Sequence, residues 1–135
     1  MKLENNWRHK TLENLEKTTI SKSTYDSHLV RRCTELYKIP LDQFTTEDLR
    51  IMIGQQIGLK FLMPLAIETL SQDLFAEGNL YEGDLLKSVL SVDTVFWDNN
   101  KECWQNLNEL IKDRRQDIKK AKFDTINFDN FKKQK

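Results

Sequence analysis

From Leu29 onward the apolar residues of this chain recur three and four positions apart: Leu29, Val30, Cys33, Leu36 and Tyr37, then Leu49, Met52, Ile53 and Ile57, then Leu62, Leu65, Ala66 and Leu70. At 3.6 residues per turn such positions fall on one face of a helix, so each run predicts an amphipathic helix with one stripe turned to a core. The alternation of a half-buried strand is nowhere sustained, and residues 125–131 are the stretch that comes nearest to it.

Start and stop signals divide the pattern into elements. Thr11 can open a short turn over residues 12–16, and a polar Ser/Thr-rich link at 18–25 leads to a helix from Asp26 or Ser27 to Tyr37, ended by Pro40. Thr45-Thr46-Glu47-Asp48 places a hydroxyl at a helix start and acids in its first turn, where the orphan amides and the helix dipole favour them. Gly58 suits the left-handed residue that closes this helix, and Pro64 the first turn of the next, which runs to about Ser71. A Gly-bearing loop at 76–83 precedes a helix at 84–90, and Asp93 caps a turn holding Val95, Phe96 and Trp97. One long helix is then predicted from Asn100 to Lys120 or Lys122, burying Cys103, Trp104, Leu107, Leu110, Ile111 and Ile118. The expected fold is all-α, a compact single-domain bundle of about six to eight helices, with residues 1–24 a partly ordered arm and 123–135 a loosely docked basic tail.

The 135 residues, 39% hydrophobic and 31% charged, suit one water-soluble core. The apolar runs are far shorter than the ~20 residues of a bilayer span, and the charged N-terminus is unlike a secretory leader, so a cytoplasmic protein is expected. Cys33 and Cys103, seventy residues apart on apolar helix positions, read as small buried hydrophobes.

Little in the sequence announces chemistry. His9 and His28 lie at polar positions without a Cys, Ser or carboxylate at motif spacing, and no Cys-x-x-Cys, His-Glu-x-x-His, EF-hand or phosphate loop occurs. No enzyme activity, cofactor or metal is therefore expected, and the pairs Glu47/Asp48 and Glu82/Asp84 read as helix-start residues. Charge is more informative. The chain is neutral overall, yet residues 73–110 hold two basic and eight acidic side chains, and residues 111–135 nine basic and four acidic. Tyr81, Glu82, Asp84, Asp93, Phe96, Trp97, Asp98 and Glu102 mix aromatic anchors with acids that would meet a basic partner. The rival reading uses the basic end of the last helix, Arg114, Arg115, Lys119, Lys120 and Lys122, in a nucleic-acid-binding or regulatory protein.

Four segments in order, residues 25–33, 44–59, 62–66 and 76–86, with Phe96-Trp97 following, resemble the immunity proteins of bacterial contact-dependent growth inhibition systems. The link before Tyr25 lacks the Trp-Gly and Pro-Pro residues common there, and the extension from Ile111 is longer and more basic. The resemblance implies a cytosolic helical monomer that binds, one to one, the C-terminal toxin domain of a large surface-delivered effector and masks its active site or substrate surface. It implies no contact with nucleic acid or membrane. Toxins of such systems include nucleases, among them RNases of a pancreatic-ribonuclease-like kind. Tyr81, Glu82, Asp84, Asp93, Trp97, Asp98 and Glu102 are the expected toxin-binding residues, with Tyr81 or Trp97 as anchor.

Overall fold

A computed structural model describes residues 6–17 and 27–131. The polar link at 18–25 and the basic end at 132–135 lie outside the described residues. Among these the structure is all-α, with nine helices: α1 (Leu12–Glu16), α2 (His28–Leu36), α3 (Thr46–Gly54), α4 (Leu59–Gln72), α5 (Asp84–Leu90), α6 (Thr94–Asn99), α7 (Lys101–Ile111), α8 (Arg115–Lys120) and α9 (Ile126–Asp129). Single 3-10 turns at Trp7–His9 and Leu41–Gln43 complete them. The expected caps are in place at Thr11, Ser27, Thr45 and Asp93, each side chain accepting a backbone N–H of the first turn. At Thr45 the Asp48 carboxylate also reaches back to the cap amide, so two orphan donors are satisfied at once.

The core forms where α3 crosses α4 and α5, and α4 meets α7. Met52, Ile53, Leu62, Met63, Ala66, Leu85, Leu86, Val89, Leu107 and Ile111 are buried together there. Three stripe positions are not among the buried residues: Leu29 is exposed, and Val30 and Ile57 are half-buried. The described part of the N-terminal arm, residues 6–17, is tied down: Leu12 is fully buried, the Leu41 amide donates to Lys10 O and the Glu13 amide to Tyr37 O.

Four boundaries differ from the sequence pattern, each for a packing reason. The left-handed residue that closes α3 is Gln56 (φ 57°), not Gly58; the Ile57 amide then reaches back to Met52 O and the Gln56 amide to Ile53 O. Gly58 (φ 65°) instead precedes α4, where an added Cβ would lie 2.7 Å from the Leu12 side chain. Pro64 consequently falls in the interior of α4 and not in its first turn. The long last helix is broken at 112–114: the Arg114 amide turns back to Ile111 O, α8 starts afresh at Arg115, and Ile118 is buried. This bend brings the expected loose tail onto the core as α9, with Phe128 fully buried between Trp97 and Trp104. Trp104 Nε1 donates to Phe128 O at 2.9 Å, and Arg115 grips Asp129 with both terminal nitrogens.

Candidate functional site

The loop from Glu77 to Gly83 joins α4 to α5, and three charged side chains beneath it determine its shape. Glu47 and Arg50 lie one turn apart on α3, a spacing that makes them neighbours, and Arg50 Nε donates to Glu47 Oε1 at 2.6 Å. The same Glu47 oxygen accepts the Asn79 amide at 2.8 Å. Asp84, the first residue of α5, is only 2% exposed. Its Oδ1 accepts the Gly78 amide at 2.6 Å, its Oδ2 accepts the amides of Leu80 and Tyr81 at 3.0 and 3.4 Å, and Arg50 Nε stands 3.6 Å from Oδ2. A buried carboxylate with several amide donors and a nearby guanidinium is well compensated, so the cluster fixes backbone that would otherwise lose its hydrogen bonds. Arg50 holds the Glu47 carboxyl below its usual range, with burial opposing and the Asn79 amide reinforcing.

With its backbone held from below, the loop turns its side chains outward. Leu80 is 61% exposed and Tyr81 39%, flanked by the exposed carboxylates of Glu77 and Glu82. The Tyr81 ring is braced by Phe123, 6.4 Å between centroids, and Lys87 Nζ lies 5.8 Å from its centre. Beside the loop is a hollow of about 410 Å³ whose wall includes Leu29, Arg32, Ile51 and Asn79.

The residues singled out from sequence are distributed over several features. Tyr81 and Glu82 stand on this loop. Asp84 lies beneath it as its anchor and presents nothing to a partner, a correction that follows from its burial. Trp97 is 0% exposed, edge-on to both Phe96 and Phe128, and as a core residue it cannot serve as a surface anchor. Asp93 is exposed and caps α6, where its own amide donates to Gln56; Asp98 is half-buried on α6. Glu102 lines a separate hollow of about 740 Å³ between α4 and α7, with Lys60, Pro64 and Cys103. Sequence reasoning passed over Leu80, Glu77 and the Glu47–Arg50 pair. A leucine in a glycine-bounded loop was the available signal, because turn chemistry already puts that position at the surface.

Other candidate chemistry is muted. Burial raises the Cys33 thiol, and burial with the charge of Glu102 raises Cys103, so both stay protonated and poorly nucleophilic at neutral pH. His9 lies 2.6 Å from Asp42 on the surface, and His28 is exposed. Among the described residues no group of His, Cys, Asp or Glu is arranged to hold a metal, and no helix is long and apolar enough to cross a membrane. At the basic end Lys112 pairs with Glu109, Arg114 with Asp117 and Arg115 with Asp129.

The scaffold is thus that of a small all-α protein whose rigid, acidic loop carries exposed apolar side chains. A family model described as CDI immunity proteins matches residues 14–107, a span that includes the loop and the cluster beneath it. The chain belongs to that family, the immunity proteins of contact-dependent growth inhibition, and neutralises a cognate toxin of such a system by binding it. No match is found among the curated proteins or the solved structures.

Proposed function

We propose that the cognate toxin is a nuclease and that the chain, acting in the cytoplasm as a monomer, neutralises it one to one by laying its acidic surface over the toxin's basic substrate cleft. The supporting observation is that Glu77, Glu82, Asp93 and Glu102 are exposed and have no cationic partner among the described residues. A cleft that holds nucleic acid must offer cations to phosphates, and unpaired surface carboxylates are the matching chemistry. Masking needs affinity alone, so no group on this chain has to take part in a reaction.

The test uses the toxin domain encoded by the reading frame immediately upstream. RNA and DNA cleavage by that domain should stop when the wild-type chain is added in equimolar amount, and the triple variant Glu82→Lys/Asp93→Lys/Glu102→Lys should fail to stop it. A toxin that cleaves neither polymer, or a triple variant that inhibits as well as wild type, sinks the reading. The chain itself is read as leaving nucleic acid alone, since Arg114 and Arg115, two of the five cations on which the rival reading rests, are already paired with acids. A flat DNA titration at low salt is the expected result.

A further inference from the structure

Five large apolar side chains are exposed among the described residues, and they form two groups. Leu80 and Tyr81 stand on the loop at 77–83, and Leu29 lines the hollow that Asn79 of the same loop also lines. Val95 and Ile126 stand on α6 and α9, which meet through Thr94 Oγ1 donating to Asn127 O. Single exposed hydrophobes are ordinary, but groups of them rimmed by charge mark binding surfaces.

We propose that the 77–83 loop is the anchor of the toxin interface: Leu80 and Tyr81 insert into an apolar recess on the toxin that is rimmed by lysine or arginine, while Glu77 and Glu82 meet the rim. This rests on the reading of the chain as an acidic cover for a basic toxin surface, and it names the part of that cover which carries the affinity. Two observations select this group over the other. The first is rigidity. Asp84 and Glu47 accept four loop amides from 78 to 81, so the backbone under Leu80 and Tyr81 is ordered before any partner arrives, and little conformational entropy remains to be lost on binding. The second is charge: Glu77 and Glu82 beside the apolar pair have no ion-pair partner among the described residues, whereas the carboxylates deeper down are matched by Arg50 and Arg32. An aromatic and an aliphatic side chain side by side, ringed by unpaired acids, have the make-up of an interface hot spot and its rim. Glu47, Arg50 and Asp84 are then positioning residues, acting on the partner only through the loop.

Binding of the upstream toxin domain to the full chain, measured by surface plasmon resonance alongside thermal melting of each variant, tests this. Leu80→Asp/Tyr81→Ala should weaken binding by about 100-fold or more while the chain stays folded, with a small drop in melting temperature from the lost Tyr81–Phe123 contact; Leu80→Asp alone, at a side chain 61% exposed, should weaken binding with the melting temperature unchanged. Val95→Asp/Ile126→Asp should stay within about three-fold of wild type. Gly78→Ala offers a gentler probe: its Cβ would come within 2.6 Å of Glu47 Oε1, pushing that carboxylate off the Asn79 amide, and it should weaken binding about ten-fold. A Leu80→Asp/Tyr81→Ala chain that binds within three-fold of wild type overturns the inference, as does loss of binding through Val95→Asp/Ile126→Asp instead. If the triple charge reversal weakens binding while the loop variants do not, the anchor is wrong and the acidic cover stands. A wild-type chain that does not bind the toxin domain overturns both.

Discussion

Asp84 shows how one residue can satisfy two demands. As the first residue of α5 it places negative charge where the helix dipole favours it, and as a buried carboxylate it gathers three loop amides. Asp84→Asn keeps the shape but replaces one acceptor oxygen by an NH2 facing amide donors; hydrogen bonds to a charged acceptor are worth about 1.5–3 kcal/mol, so unfolding free energy should fall by about 2–3 kcal/mol. A loss under about 0.5 kcal/mol in a urea titration would show that the clamp contributes little. Glu47 makes the same cluster pH-sensitive. Arg50, opposed by burial and helped by the Asn79 amide, lowers its folded pKa, so its contribution is full above the unfolded glutamate value of about 4.3 and is lost as pH falls through the folded one. Wild type should therefore lose stability on acidification through that window, and Glu47→Gln should lose less over the same interval. Parallel melting curves for the two proteins between pH 6 and pH 3 would refute the assignment.

Among the elements, α8 and α9 illustrate packing overriding propensity. Nothing between Lys112 and Gln116 forbids a helix, and the sequence reads as one continuous element there. The break at 112–114 turns α8 so that Ile118 and Phe128 reach the core and Trp104 stacks on both Phe128 and Phe131. No local pattern encodes that return, because the partner aromatics Trp97 and Trp104 lie 31 and 24 residues upstream of Phe128. Phe128→Ala should accordingly cost about 3–5 kcal/mol, the range for an aromatic removed from a packed interior. A cost below about 1 kcal/mol would mean that the segment is only loosely docked after all. The end of α8 offers a gain. Lys122 takes the left-handed position (φ 63°) with the Phe123 amide bonded to Ile118 O, a role that glycine fills without strain. Lys122→Gly should raise stability by about 0.5–1 kcal/mol, readable as a few degrees in melting temperature; a decrease would refute it. The elements whose signals are local were legible in the sequence, such as the Thr45 cap with its Asp48 partner and the stripe Leu49, Met52 and Ile53. Gln56 in place of Gly58 and the burial of Trp97 were not, because Gly58 packs on Leu12 and Trp97 on Phe128, both distant in sequence; Asp84 was read as a helix-start acid because its nearby amide partners depend on the path of the loop, which no periodicity encodes. The candidate site depends on such distant contacts in part: Tyr81 and Glu82 could be named from composition, but the loop that carries them is held at Asn79 by Glu47, 32 residues away, as well as by the nearby Asp84.

For the whole molecule, zero net charge conceals a separation that governs how a partner approaches. The acidic span 73–110 keeps Glu77, Glu82, Asp93 and Glu102 exposed and unpaired among the described residues, while the basic end spends three of its cations on acids of its own. Surface charges of this kind act over about a Debye length, 8–10 Å at physiological salt, so they bear on diffusional encounter more than on the seated complex. The apolar pair on the rigid loop acts the other way: Leu80 and Tyr81 meet the toxin only once it is docked, so their removal should appear in the dissociation rate. Stopped-flow or plasmon-resonance kinetics separate the two contributions. Raising salt from 50 to 500 mM should slow association of the wild-type chain with its toxin by about ten-fold or more and leave dissociation within about two-fold. Glu82→Lys/Asp93→Lys/Glu102→Lys should associate slowly at every salt concentration, whereas Leu80→Ala should keep the wild-type salt dependence and dissociate faster. An association rate that is flat in salt would remove electrostatic steering and, with it, the acidic cover as the route by which this chain reaches its toxin before the toxin reaches its substrate.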